Sequence, residues 1–284
     1  VPYVGWMSIF VVAPIIIMVV YAFSTAAGDF TLENFARMGT YTAVFTRSFK
    51  LAIIATLIAL LIGYPVSYML SKEGPQVQRI AMVLIMLPMW MNFLLRTYSW
   101  MSILENNGLL NQLFQQIGLI DLYNQIAMHF ASDPAAYVPI DHFQMIGTQG
   151  AVVLGMVYNY LPFMILPIYS VLVKLDHSLI EAARDLGASS VQVFRKVILP
   201  LSLPGVLSGI TMVFVPSVST FAISRLLGGG TQMMLGDLIE QQFLGGAYNP
   251  QLGAAIALVM MAIVVVCMLV MNRFGDGEEQ AVML

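Results

Sequence analysis

Charge is scarce in this chain. Only 10% of its 284 residues are Asp, Glu, Lys or Arg, while 59% are hydrophobic; a water-soluble globule carries roughly a quarter charged residues. Such a composition excludes an ordinary soluble domain and points to a polytopic membrane protein. The 12 basic and 15 acidic residues leave a formal net charge of −3, and no basic tract offers a footing for nucleic acid. A single cysteine, Cys267, excludes an internal disulfide and reads as helix packing rather than chemistry. No Gly-Lys pair occurs, so the glycine-rich loop that cradles ATP phosphates is missing. Energy for any uphill transport must then come from another polypeptide, or the chain is not an active transporter; no cofactor or metal is expected on this chain. Neither a Ser, His and acid arrangement nor paired carboxylates within a span marks an enzyme.

What the chain does contain is long runs without charge, at positions 1–28, 51–71, 80–95, 142–173, 197–224 and 241–272. Each is apolar enough for a span of about 20 residues, and lipid leaves no partner for exposed backbone, so the runs must be helices. Six transmembrane helices are expected, near 3–25, 49–71, 80–103, 149–173, 201–226 and 250–272, forming one membrane domain over 1–284. The first run lacks a basic leading region and exceeds a typical signal core, which makes it a retained span. The chain starts at Val1 rather than Met, leaving room for a few more N-terminal residues. Arg96 alone sits well inside an apolar stretch, where it must snorkel outward or find a carbonyl. Proton relays of the kind used by secondary transporters are otherwise lacking.

Lys72, Arg79, Lys174, Arg184, Arg195, Lys196 and Arg273 lie on one side of this arrangement, and no Lys or Arg occurs between Leu104 and Thr148. The positive-inside rule puts the first set in the cytoplasm together with both termini, although Arg37, Arg47 and Lys50 fall on the outer connection. In the outer segment Leu109, Leu110, Leu113, Phe114 and Ile117 recur at helical spacing, an amphipathic surface helix followed by a polar loop with Pro134 and Pro139. This is either a landing face for a soluble partner or a plain connector. His129, Asp133, Asp141 and His142 share that segment at spacings that match no metal pattern. A further surface helix is expected over 31–45.

The most informative stretch lies between the fourth and fifth spans, over 176–200. Ser178 and Glu181 have the spacing of a capping box, Ala182 and Ala183 favour helix, and Gly187 can end it in the left-handed conformation. Ser189 and Gln192 repeat the capping signal for a second short helix. Glu181, Ala182, Ala183, Gly187, Val197, Leu199 and Pro200 resemble the EAA loop of ABC importer permeases, with valine in place of isoleucine as the one departure. The resemblance implies an all-α integral membrane protein with the six-helix fold of type I importers and a cytoplasmic coupling loop. It also implies that Ser178, Glu181, Ala182, Ala183, Asp185, Gly187 and Ala188 dock on a partner ATPase.

A narrower likeness spans most of the chain. Gly63 to Tyr68, Leu94 to Tyr98, Gly108 to Asn111, Tyr158 to Pro167, Glu181 to Ala188 and Leu226 to Gly229 resemble spermidine/putrescine permeases of the PotB type. That family implies two ATPase subunits, a second homologous permease, an extracytoplasmic binding protein that delivers polyamine, and residence in the bacterial cytoplasmic membrane. Related permeases carry an acid just before the Leu-Leu-Gly-Gly segment where this chain has Arg225, which leaves sulfate, thiamine or another small solute open as cargo. For a polyamine path, cation-π faces and carboxylates are wanted. Tyr98, Trp100, Tyr158 and Tyr160 near span ends, and Asp237 and Glu240 one helical turn apart, are the candidates. The rings also fit interface anchors, and the acids a solvated helix. Gly205 and Gly209 form a GxxxG pair, whose neighbour is another helix of the chain or the paired permease. A channel or secondary transporter is the rival class.

Overall fold

The computed structural model describes residues 2–130 and 137–279, so Asp133 and Pro134 lie outside the described residues. Five helices among them are long and apolar enough to cross a membrane, and a bent pair brings the number to as many as six. In chain order, α1 is Tyr3–Ala22, α2 Glu33–Arg37, α3 Thr42–Ser71, α4 Pro75–Trp90 and α5 Phe93–Leu104. Then come α6 Leu109–Gln116, α7 Leu119–Phe130, α8 Gln149–Leu172, α9 His177–Asp185 and α10 Ser190–Ser219. The chain closes with α11 Ala222–Leu227, α12 Leu235–Leu244 and α13 Pro250–Glu279.

The centre of the bundle is α8, which packs between α3 and α10. Small residues make this possible. A Cβ on Gly205 would lie 2.8 Å from the Pro167 carbonyl oxygen, and one on Gly209 would lie 2.8 Å from Met164 Sδ. The GxxxG pair therefore joins α10 to α8 within one chain, the close approach such pairs permit in lipid. Outside this core, α1 rests on α13 through Ala22, Ala254 and Ala255. The side chains of Ile15, Ile16, Ile17, Leu61, Val265 and Leu269 point outward. In water so wide an apolar surface would drive association; here it is the band that meets acyl chains.

The span expected over 80–103 is broken. Helix α4 ends at Trp90, and the segment Phe93–Gln116 leaves it at 90°. The cause is local: Met91 is extended, and Asn92 Oδ1 accepts hydrogen bonds from the Leu94 and Leu95 N–H groups at 2.9 and 3.3 Å. An asparagine in that role starts a new helix inside an apolar run. The span expected over 201–226 likewise stops at Ser219, with Thr220 extended, before α11 begins.

Among the described residues, the 105–148 segment holds two helices rather than one. They meet at Gly118, whose φ of +71° suits a residue without Cβ. The stretch that follows is pinned back by two asparagines. Asn111 donates to the Glu105 and Phe143 carbonyls and accepts from the Phe143 N–H, while Asn124 bonds Tyr137 and both backbone groups of Ile140. Helix α2 occupies the front of the 31–45 segment and passes through a 3-10 turn into α3.

Candidate functional site

Helix α9 begins two residues earlier than a capping box at Ser178 required. Its cap is Asp176, whose carboxylate accepts the Ser178 N–H at 2.9 Å, so Ser178 lies inside the helix and no Ser178–Glu181 box forms. Aspartate is as good a cap as serine, and its position lets the helix gain two residues. The other end closes as expected. Gly187, at φ +83°, donates to the Arg184 carbonyl at 2.8 Å, and the Ala188 N–H reaches back to the Ala183 carbonyl at 3.1 Å. These two bonds make a Schellman motif. Ser189 and Gln192 then form the second capping box, each side chain bonded to the other's backbone.

Two faces of α9 differ in what they touch. Ile180, Ala183 and Ala188 pack inward against a core that includes Leu172, Val193 and Ile198. Phe194, in the π turn Phe194–Ile198 that opens α10, meets Tyr64 and Tyr68 of α3 edge-on, with ring centroids 5.8 and 5.6 Å apart. The Tyr64 hydroxyl and Ser202 Oγ are 2.8 Å apart, a third tie between α3 and α10. On the outer face Leu179, Ala182 and Leu186 are exposed, Leu186 to 90%. Their spacing of three and four residues aligns them in one stripe. Glu181, Arg184 and Asp185 are exposed beside it, and among the described residues none of the three is in an ion pair.

The motif comparison named Glu181, Ala182 and Gly187 but passed over Leu179 and Leu186, although their apolar spacing was readable. It also missed Phe194, Tyr64 and Tyr68. Their role depends on how α3 and α10 come together, which no local pattern carries.

The expected path residues fall into two groups. Trp100 and Tyr158 stack edge-on with centroids 5.2 Å apart, and Trp100 packs on the central core. Tyr160 lies between two core clusters, whereas Tyr98 is exposed. Arg96 neither snorkels outward nor bonds a carbonyl through Nε or Nη1: it is 8% exposed and those two atoms have no hydrogen-bond partner.

Asp237 and Glu240 are not a solvated pair. The Asp237 side chain is 4% exposed and accepts from Ser224 Oγ and the Met234 N–H, and its Oδ1 faces Arg225 Nε at 3.8 Å. Glu240 takes both terminal nitrogens of Arg225, Nη1 at 3.1 Å to Oε1 and Nη2 on Oε2. Burial holds the Asp237 pKa above its ordinary value, against the pull of Ser224, Met234 and Arg225. Arg225, which stood out in the sequence as a departure, is thus the partner of both acids. No three His, Cys, Asp or Glu residues among the described ones cluster as metal ligands.

A bundle of long apolar helices with a polar helix–turn–helix knuckle between two of them is an integral membrane protein. The chain belongs to the family of binding-protein-dependent transport system inner membrane components, whose model matches residues 59–277. It is 35% identical over 278 residues to the spermidine/putrescine transport system permease protein PotB of Escherichia coli K12, covering 95% of this chain and 94% of that one. In fold it is similar to a bacterial ABC transporter involved in the import of the acidic polysaccharide alginate, with a TM-score of 0.76 at 16% identity over 97% of this chain and 93% of that one. A second structure of a bacterial alginate ABC transporter, in complex with a periplasmic protein carrying an alginate pentasaccharide, gives 0.71 at 17% identity, covering 96% and 90%. The fold is therefore that of an ABC importer permease, and the chain is a multi-pass membrane protein and a transport component.

Proposed function

We propose that this chain carries polyamine, spermidine or putrescine, through the bacterial cytoplasmic membrane by alternating access. It works with a second, homologous permease, two ATPase subunits that hold ATP and Mg, and an extracytoplasmic binding protein. The polyamine assignment is supported by the likeness to PotB and by the two carboxylates of α12, which suit an ammonium group. The alginate transporter bound to a periplasmic protein supports delivery from outside. Both termini and α9 lie in the cytoplasm in this reading, which Lys72, Arg79, Lys174, Arg184, Arg195, Lys196 and Arg273 support.

The observation that carries the coupling role is the pair of faces on α9. Its outer stripe of Leu179, Ala182 and Leu186 is left uncovered by the described residues, while its inner face is built into the bundle. An apolar stripe at spacing i, i+3, i+7 is what a helix presents to a hydrophobic groove. The groove belongs to the ATPase in this reading, and ATP-driven closure of the ATPases draws the knuckle with it. Because α9 is tied through Phe194 to α3 and α10, the pull reaches the helices that enclose the pathway.

Replacing Leu186 with Ala should weaken ATPase association about 30-fold, the loss of a central anchor worth about 2 kcal/mol. Leu186→Glu should abolish both co-purification and uptake, with the protein still in the membrane. Full co-purification of ATPase by Leu186→Glu would overturn the docking assignment. ATP-independent uptake by the purified chain in vesicles would instead favour a channel or secondary transporter.

A further inference from the structure

The acids of α12 already hold a cation, and it belongs to the chain itself. Asp237 and Glu240 stand one helical turn apart on the same face, about 5–6 Å between Cβ atoms, a span that grips one cation from two sides. Arg225 reaches them from α11. It lies flat against Glu240 with two nitrogens, while its Nε stops 3.8 Å from Asp237 Oδ1. That oxygen accepts no hydrogen bond at all, although its carboxylate is almost fully buried. A buried carboxylate oxygen aimed at a guanidinium that falls short of it is an acceptor only half used.

The two partners differ in how firmly they are held. Ser224 and the Met234 N–H fix Asp237, so the acceptor is rigid. Arg225 is 46% exposed on a long flexible stem, and Glu240 is 25% exposed. Ion pairs this open to solvent are weak, so the guanidinium can be exchanged for a competing cation without a large penalty. Two carboxylates against one guanidinium leave the cluster an excess acid.

Its place in the fold links it to the coupling loop. Gly236, next to Asp237, is pressed against the Ser219 and Thr220 carbonyl oxygens, where a Cβ would collide. Thus α12 abuts the end of α10, whose other end carries Phe194 and the knuckle. The contact ties the acid pair to the junction between α10 and α11.

We propose that Arg225 is a specificity-determining residue, a tethered guanidinium that occupies the Asp237 and Glu240 carboxylates when the pathway is empty and is displaced by a substrate ammonium. Its return expels the cargo. The site selects organic cations with primary ammonium groups, compact enough to bond Asp237 Oδ1, from which the guanidinium stands off at 3.8 Å. This rests on the polyamine reading above and says which side chains set its selectivity.

The assembled permease–ATPase complex in nanodiscs, without binding protein, supplies the test, with radiolabelled spermidine as probe. Arg225→Gln should retain spermidine about tenfold more tightly than the parent, and uptake by the complete system should slow because release is slower. Glu240→Gln should retain it more weakly. Arg225→Lys, which keeps the charge, should fall between parent and Arg225→Gln, and guanidinium chloride should compete with spermidine in Arg225→Gln. Removing either partner of a purely structural ion pair would act in one direction only. Arg225→Gln and Glu240→Gln that shift retention the same way, with similar losses in Tm, would therefore overturn the tethered cation while leaving polyamine transport intact. Should Arg225→Gln fail to assemble, Arg225→Lys and Glu240→Gln decide alone: tighter retention by the first and weaker by the second supports the proposal, and any other pattern overturns it. A parent complex that takes up no polyamine would instead sink the substrate reading.

Discussion

Asp237 sits in a place that does not favour a carboxylate. Burial raises its pKa, so the native state holds the proton more tightly than the unfolded chain does. For an acid shifted this way, the group lowers stability once it is ionised in both states. The cost is relieved as pH falls through the raised native pKa toward the ordinary value near 3.9. Asp237→Asn keeps an acceptor for Ser224 and Met234 but removes the ionisation. The Tm difference between variant and parent should therefore change between pH 7 and pH 4; melts in detergent that run parallel across this range would contradict the shift. The residue also shows where sequence reading ends. Two acids three apart on a short polar helix look solvated, because burial by α10 and α11 leaves no local trace. Leu186 is the opposite case, since its spacing with Leu179 was visible and only the strength of the motif drew attention elsewhere.

At the scale of elements, the long spans were legible because lipid demands runs that no soluble helix needs. The interruptions were not. Counting apolar residues from Ile80 onward cannot reveal that Asn92 ends one helix and starts another, since a cap acts through one hydrogen-bonding side chain. Asn92→Ala should cost about 1 kcal/mol, seen as a lower Tm. The GxxxG pair was legible as close packing but not as to its neighbour, which depends on how α8 is placed. Gly205→Val, which would press a side chain into the Pro167 carbonyl, should destabilise by about 1–3 kcal/mol. Gly5→Val, with nothing within 4 Å of a new Cβ, should be tolerated. Equal melting of the two variants would argue against the α8–α10 contact.

For the molecule as a whole, one line of contacts runs from the knuckle to the acid pair. It begins at the Schellman turn, passes through Phe194 between Tyr64 and Tyr68, and follows α10 to Gly236. Phe194→Ala should leave ATPase binding in place but reduce uptake by at least about tenfold, because the packing that joins the loop to α3 is lost. Measuring ATP hydrolysis and uptake together separates this from a docking defect. Unchanged uptake would mean that force travels another way.

The π turn over Phe194–Ile198 has a bearing on how that line was made. There the Leu199 N–H reaches back five residues to the Phe194 carbonyl. A turn of this type takes up one residue more than an ordinary α-turn, and the residue at its start is the one seated between Tyr64 and Tyr68. Deleting a single residue from it would return the backbone to ordinary pitch and draw the phenyl ring out of its slot. One surplus amino acid thus keeps the knuckle seated.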